Sequence, residues 1–200
     1  MSNEESYADT IAIIGLHGRF PGAGSPEALW ETLRAGTSSI RSHSRDELRD
    51  AGIDDSLLDR DDYVRAYGEL SQSDCFDADF FGCTPREAAR MDPQHRVLLE
   101  CAWHTLEHAG YDPTRYAGLI GVYAGIAESG DRPTAAGGSR TGFLSDDPDV
   151  FFGNSADFCV TRICYKCDLR GPGLCIKTGC SSSLVAVHLA AQALLAHECD

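Results

Sequence analysis

The sequence has little positive charge. Its 17 Lys and Arg residues stand against 31 Asp and Glu residues, which gives a formal net charge of −14 and a pI near 4.7. Proteins that bind nucleic acid or anionic membrane surfaces through charge need a basic face. The composition therefore argues against a general nucleic-acid binder and against a polybasic membrane anchor, and we expect neither nucleic acid nor membrane as a partner.

Long apolar runs and targeting signals are also missing. No apolar stretch in the sequence reaches the length of a transmembrane helix. The polar, acidic start Met1–Ser6 has neither the basic part nor the apolar part of a secretory signal. Nine cysteines, an odd number, fit reduced thiols better than a closed disulfide framework. Together these features predict a cytoplasmic protein.

Nucleotide-binding motifs are absent as well. The glycine-rich pieces Gly22–Gly24 and Gly137–Gly138 form neither a GxGxxG fingerprint nor a Walker-type loop. No pair of carboxylates is singled out by its spacing. We therefore expect no nucleotide cofactor.

Apolar residues make up 42% of the 200-residue sequence. This is enough for one domain with its own hydrophobic core. We expect residues 1–10 to be a flexible segment and residues 11–200 to be one domain. Three apolar runs predict buried strands, and residues 125–148 predict a long loop. The three strand runs are Ile11–Ile14, Leu119–Ala124 and Leu174–Ile176.

Helix starts are well marked between these runs. Ser25, Thr84 and Asp92 each precede a proline, the order expected for an N-cap followed by the first helical residue. A further helix is expected over residues 155–166. Helices alternating with buried strands predict an α/β layered fold with a largely parallel sheet.

Cys180 is the residue on which the functional interpretation depends. It follows the run Leu174–Ile176 after a short turn and precedes the apolar segment Leu184–Ala191. A cysteine at a helix start lies near unpaired backbone N–H groups, which favour the negatively charged thiolate. This is the arrangement of a nucleophile elbow with a thiol in place of a hydroxyl. The alternative is a structural cysteine, because free cysteines are often buried.

Several ordered segments resemble a known family, the β-ketoacyl synthases, and in particular the ketosynthase domains of modular type I polyketide synthases. The resemblance runs from Ile11 to the last residue and covers the N-terminal half of such a domain. The matching segments are Ile11–Gly15 with Arg19–Ala23, Phe76–Gly82 with Pro85–Ala88, Met91–Glu100, Gly153–Ser155, Arg170–Pro172 and Lys177–Leu184.

The resemblance implies a thiolase-like fold, in which a sheet packs between helices. It implies that Cys180 accepts an acyl chain from the phosphopantetheine arm of an acyl carrier protein. A malonyl-type extender then loses carbon dioxide and condenses with that chain. The implied partners are the carrier protein, a second copy in a homodimer, a C-terminal ketosynthase half and downstream synthase domains. The implied domain holds no metal or other cofactor of its own.

The sequence departs from the family pattern in two ways. Lys177 and Gly179 stand where the family usually has Asp or Gln and then Ala; the exchange of Ala for Gly179 is sterically mild but loosens the turn. The two histidine blocks of the family, His-Gly-Thr-Gly-Thr and Asn-x-Gly-His, do not occur. His188 lies eight residues beyond Cys180, about 12 Å along a helix and beyond hydrogen-bond reach.

Five other histidines are expected in structural or surface positions: His17, His95, His104, His108 and His197. We therefore expect the chain to hold the nucleophile without the histidines that handle protons. The alternative is a non-catalytic half that acts in the assembly of a dimer or a larger complex.

Four other cysteines leave a third possibility open. Cys159, Cys164, Cys167 and Cys175 have the spacing C-x4-C-x2-C-x7-C, and the first three match the plant-type ferredoxin spacing. Two of these cysteines would lie within one predicted helix, whereas a ferredoxin loop is irregular. The sequence thus favours packing residues over a metal or iron–sulfur site.

Overall fold

The computed structural model describes residues 10–127 and 148–200. Nearly all of the predicted flexible segment 1–10 and of the predicted loop 125–148 lies outside these residues. The helices and strands, in chain order, are α1 (Pro26–Arg34), β1 (Ile40–Ser42), α2 (Arg45–Asp50), α3 (Asp55–Leu58), β2 (Ala66–Gly68), α4 (Pro85–Arg90), α5 (Pro93–Ala109), β3 (Val122–Gly125), α6 (Pro148–Asn154), α7 (Asp157–Lys166), β4 (Gly173–Ile176) and α8 (Ser182–Leu195).

The helix starts follow the predicted capping chemistry. Ser25 Oγ accepts a hydrogen bond from the Ala28 N–H at the start of α1 (3.2 Å). Thr84 Oγ1 does the same for α4, and Asp92 Oδ1 accepts from the Gln94 N–H at the start of α5 (2.7 Å). The predicted helix over residues 155–166 is confirmed as α7.

The two parallel strands lie between two helices. β3 pairs with β4 from Val122 opposite Gly173 to Gly125 opposite Ile176, and opposed residues point to the same face. Gly173 faces Val160 of α7, and Gly125 faces the start of α8. Because these two positions lie on alternate faces, α7 covers one side of the pair and α8 the other. The predicted sheet between helices is confirmed here.

The main core forms where α5 meets α7 and the loop before α4. Leu99 on α5 and Ile163 on α7 are almost completely buried, and Phe81 and Met91 pack with them. Phe76 stacks on Phe81 with ring centroids 5.3 Å apart. Burial of large apolar side chains of this kind stabilises the fold by about 1.5–3 kcal/mol each.

The prediction of a buried strand at Ile11–Ile14 is wrong. The run from Ile11 to Ile14 forms no strand, and Ile13 is 88% exposed. The segment that follows it lies along α5: the Leu16 N–H donates to His108 Nδ1 (2.9 Å), and Gly15 sits against Thr105 and Ala109. A strand needs hydrogen bonds from a neighbouring strand, and the sequence of this run alone does not supply that neighbour.

One other expectation is adjusted. β3 begins at Val122, so the run Leu119–Ala124 is only partly a strand. The polar region 37–75 contains the short helices α2 and α3 together with the antiparallel pair β1–β2.

α8 is mostly apolar and has no distinct polar face, yet only Ala186 and Ala193 are buried. Leu184 is 78% exposed and Val187 is 67% exposed. A helix without a polar face is typical of the interior of a larger structure. Across residues 10–127 and 148–200, α8 and the other helices are too short or too polar to span a membrane.

A set of polar contacts ties the α4–α5 junction to α6 and α7. Arg162 donates to Glu87 Oε1 (2.8 Å), and Asn154 Nδ2 donates to the Arg90 carbonyl (2.8 Å). The Asp92 N–H donates to the Gly153 carbonyl (2.9 Å). This approach is close at Gly153, where a Cβ would lie 3.1 Å from the Arg90 carbonyl oxygen, tighter than an ordinary van der Waals contact.

His95 is buried next to this set of contacts. Its side chain is 1% exposed, and burial, reinforced by the nearby Arg162 guanidinium, lowers its pKa from 6.5 to about 4. The native state therefore keeps His95 neutral in a pH range where the unfolded chain binds a proton. Stability must fall as the pH decreases from about 6.5 towards about 4.

We predict that lowering the pH from about 7 to about 5 reduces the free energy of unfolding by about 2 kcal/mol more in the wild-type chain than in His95→Gln. Urea unfolding at the two pH values measures this difference. His188→Gln removes an exposed histidine and should keep the wild-type pH dependence. Equal pH dependence in the wild type and His95→Gln would contradict the prediction.

Candidate active site

The Cys180 turn lies directly beyond the end of β4. Ile176, the last residue of β4, is buried and anchors the strand, whereas Cys180 is exposed. Cys180 sits on a 3-10 turn spanning Gly179–Ser181, and α8 begins at Ser182. The expected order of strand, turn, cysteine and helix is confirmed, with the thiol on the 3-10 turn that leads into α8.

Two serine hydroxyls close this turn. Ser182 Oγ accepts a hydrogen bond from the Thr178 N–H (2.9 Å) and donates one to the Gly179 carbonyl (2.8 Å). Ser181 Oγ is 2.8 Å from the Thr178 carbonyl and 2.9 Å from Thr178 Oγ1. The residues on both sides of Cys180 are therefore linked by side-chain hydrogen bonds.

Gly179 has a left-handed backbone with φ +63°. The sequence indicates that alanine would be a sterically mild exchange, and a Cβ at this position would indeed meet nothing within 4 Å. The left-handed conformation is nevertheless costly for any residue that has a Cβ. Gly179 is thus favoured for its backbone conformation, which the sequence did not reveal.

β3 ends against the start of α8. A Cβ on Gly125 would lie 2.7 Å from Ser182 Cβ, so only glycine allows this approach. Beside Gly125 lies an apolar groove of about 300 Å³, bordered by Leu70, Val97, Leu98 and Ile126. Sequence reasoning missed this groove because its walls come from three separate segments. A glycine at a strand end was the one available signal.

The histidines do not gather at Cys180. His188 is exposed on α8. His17 and His104 contact each other with ring centroids 4.7 Å apart, and both line a polar cleft of about 680 Å³ alongside α5. Burial, together with His104, lowers the pKa of His17. This cluster belongs to the contact between the N-terminal segment and α5.

The cysteines with ferredoxin-like spacing are packing residues in this structure. Burial raises the pKa of Cys159 to about 12, with Cys175 adding to the effect, and raises that of Cys167 to about 11. Metal ligation uses thiolates, which such burial disfavours. In the described ranges, no three His, Cys, Asp or Glu residues are placed to hold a metal ion. None of the nine cysteines, all of which lie in these ranges, forms a disulfide.

Comparison with known sequences points to one family. A family model described as the N-terminal domain of β-ketoacyl synthase matches residues 8–200. One component of the phenolphthiocerol/phthiocerol polyketide synthase of Mycobacterium tuberculosis is 47% identical over 201 residues, which cover 96% of this chain and 13% of the relative. The pikromycin polyketide synthase component PikAII of Streptomyces venezuelae is 41% identical, covering 96% of this chain and 5% of the relative.

Solved structures give the same result. Ketosynthase twelve of the bacillaene polyketide synthase from Bacillus amyloliquefaciens has a TM-score of 0.80 at 32% identity, over 97% of this chain and 34% of that chain. The module 1 ketosynthase of the bacillaene synthase from Bacillus amyloliquefaciens has a TM-score of 0.78 at 32% identity, over 96% and 33%. The thiolase-like fold expected from the sequence is therefore confirmed. The chain spans a small part of the curated relatives and about a third of the solved domains.

We predict that Gly179→Ala lowers the free energy of unfolding by about 1 kcal/mol, because alanine must adopt a left-handed backbone there. Urea unfolding measures this change. Gly24→Ala is the matched control: it also has open space around the added Cβ, and its φ lies outside the left-handed range. A Gly179→Ala variant as stable as the control would contradict the interpretation.

Proposed function

The chain belongs to the β-ketoacyl synthase family, and from this premise we propose that it is the N-terminal half of a polyketide-synthase ketosynthase in which Cys180 carries the acyl chain. One observation carries the proposal. An exposed thiol stands on a hydrogen-bonded turn between a parallel strand whose last residue, Ile176, is buried and the start of an apolar helix. That is the placement a nucleophile needs in order to reach a substrate from solvent.

The first step is transfer of the acyl chain to Cys180. The thiolate attacks the carbonyl carbon of an acyl thioester on a carrier protein's phosphopantetheine arm. A tetrahedral oxyanion forms, and its collapse expels the phosphopantetheine thiolate. The Cys180 backbone N–H is the proposed donor to that oxyanion, the role such groups have in acyl transfer. Acyl-Cys180 and the carrier thiolate are the products, and the carrier thiolate takes up a proton from solvent to replace the one that the Cys180 thiol lost.

The second step forms the carbon–carbon bond. A malonyl-type extender thioester loses carbon dioxide, and the electron pair left on its α-carbon attacks the acyl carbon on Cys180. The bond from that carbon to Cys180 Sγ breaks, and the thiolate is regenerated. The apolar groove beside Gly125 is the proposed path of the acyl chain, because it lies next to the residue that contacts Ser182.

The histidines for this chemistry are proposed to come from a C-terminal ketosynthase half. The exposed apolar side of α8, with Leu184 and Val187, supports this partner because such a surface is normally covered. The proposal also implies a carrier protein, downstream synthase domains and a second copy as partners. The synthase components and ketosynthase domains that resemble this chain do not favour the alternative of a non-catalytic half.

We predict that incubation with a short acyl-pantetheine thioester adds one acyl group, at Cys180. Intact mass and peptide mapping detect the adduct, and hydroxylamine should remove it because it is a thioester. The Cys180→Ser variant should not become acylated, whereas Cys75→Ser, which removes the other exposed cysteine, should be acylated like the wild type. Acylation of Cys75 at the rate of Cys180 would overturn the proposal that Cys180 is the acyl acceptor.

The exposed side of α8 gives a second prediction. Val187→Gln should change the free energy of unfolding of the chain alone by less than about 0.5 kcal/mol, because position 187 is exposed. In a complex with a C-terminal half, the side-chain amide introduced by Val187→Gln would be buried without a hydrogen-bond partner. We expect co-purification with the co-expressed C-terminal half of a related ketosynthase to weaken by about tenfold, the lower range of that penalty.

Val64→Gln is the matched control for this experiment. Val64 is 77% exposed and lies between α3 and β2 in the chain, outside α8. Its replacement should leave both stability and co-purification unchanged. If Val187→Gln associates with the C-terminal half as well as Val64→Gln does, α8 is not the surface that this half covers.

A further inference from the structure

We propose that Ser182 is a positioning residue for Cys180, and that it works because Gly125 lets the end of β3 rest directly on it. The inference builds on the acyl-acceptor function proposed above. It assigns to Ser182 the task of fixing the turn, and to Gly125 the task of fixing Ser182. Neither residue is proposed to react with the substrate.

The first part of the argument is the bridge made by one hydroxyl. Ser182 Oγ accepts from the Thr178 N–H and donates to the Gly179 carbonyl, at 2.9 and 2.8 Å. Thr178 belongs to the chain leaving β4, and Ser182 is the first residue of α8. Cys180 lies between the two ends of this bridge. The hydroxyl therefore holds the strand side and the helix side of the turn together.

The second part is the packing of Gly125, at the end of β3, against Ser182. A Cβ on Gly125 would approach Ser182 Cβ to 2.7 Å and the Ser183 nitrogen to 3.3 Å. Gly125 is opposite Ile176 in the parallel ladder, and Ile176 is buried. Hence the strand that leads into the turn and the strand that supports the start of α8 are held in one fixed register. A side chain at position 125 would have to push α8 away.

The third part is that neither Ser181 nor Ser183 combines a side-chain hydrogen bond to both Thr178 and Gly179 with side-chain contact to Gly125. Ser181 Oγ bonds only backward, to the carbonyl and the hydroxyl of Thr178. Ser183 is exposed, and its backbone nitrogen rather than its side chain is the atom near Gly125. Ser182 alone among the three joins the turn to the sheet. Ser183→Ala is thus a matched control one residue away.

The reactivity of Cys180 measures this positioning. The chain is treated with limiting iodoacetamide, and peptide mapping gives the alkylation rate of Cys180 relative to Cys75, an exposed thiol outside the turn. The buried thiols Cys159 and Cys167 report loosening of the whole domain, since they are 1% and 2% exposed. The variants are Ser182→Ala, Gly125→Ala and the control Ser183→Ala.

We expect the Cys180-to-Cys75 rate ratio to fall by about fivefold in Ser182→Ala and in Gly125→Ala, the factor that one typical hydrogen bond represents. Ser183→Ala should keep the wild-type ratio, and Cys159 and Cys167 should stay protected in all variants. For Ser182→Ala, the saturating rate of acylation by acyl-pantetheine should fall by a similar factor. The half-saturating thioester concentration should stay the same, because no proposed substrate contact is removed.

Three results would overturn the inference. These are an unchanged ratio in Ser182→Ala, an equal fall in Ser183→Ala, and a fall that appears only together with alkylation of Cys159 and Cys167, which would mean general loosening. Failure of the proposed function looks different, because it appears in the wild type as absence of acylation at Cys180. The Cys180-to-Cys75 alkylation ratio of the variants can be measured whether or not the wild type becomes acylated.

Discussion

Four residue pairs, from Val122 with Gly173 to Gly125 with Ile176, join β3 and β4 in parallel. Parallel strands need a long connection between them, and here it contains α6 and α7. α7 returns over one face of the pair, and α8 leaves over the other. The positions of the Cys180 turn, of Ser182 and of the groove beside Gly125 all follow from this pairing.

The second organising feature is polar and lies on the α7 side of the sheet. The Arg162–Glu87 pair, with side chains 11% and 29% exposed, joins α7 to α4. Asn154 and the Gly153 carbonyl hold the α4–α5 junction in place. Removing one member of such a set leaves the others unpaired in a partly buried environment, which costs more than the contact contributes. These contacts connect three of the segments by which the sequence resembles its family.

Much of the fold was predictable because its signals are local. A capping side chain bonds to an N–H two or three residues away, so Ser25, Thr84 and Asp92 mark their helices without help from the rest of the chain. The order of β4, turn and α8 was predictable for the same reason. The run Ile11–Ile14 failed because a strand is defined by its neighbour, which local sequence does not contain.

The sequence by itself determined the family and the starts of α1, α4 and α5, because these depend on residue identity and short spacing. It also singled out Cys180 as the proposed nucleophile. Only the tertiary structure decided how Cys180 is held. Ser182 and Gly125 are 57 residues apart in number, and only the parallel register brings them into contact. It also decided that Gly179 is left-handed, and that Cys159 and Cys167, two of the cysteines with ferredoxin-like spacing, are buried. Burial and backbone conformation are set by the whole packed domain, and no short stretch of sequence contains them.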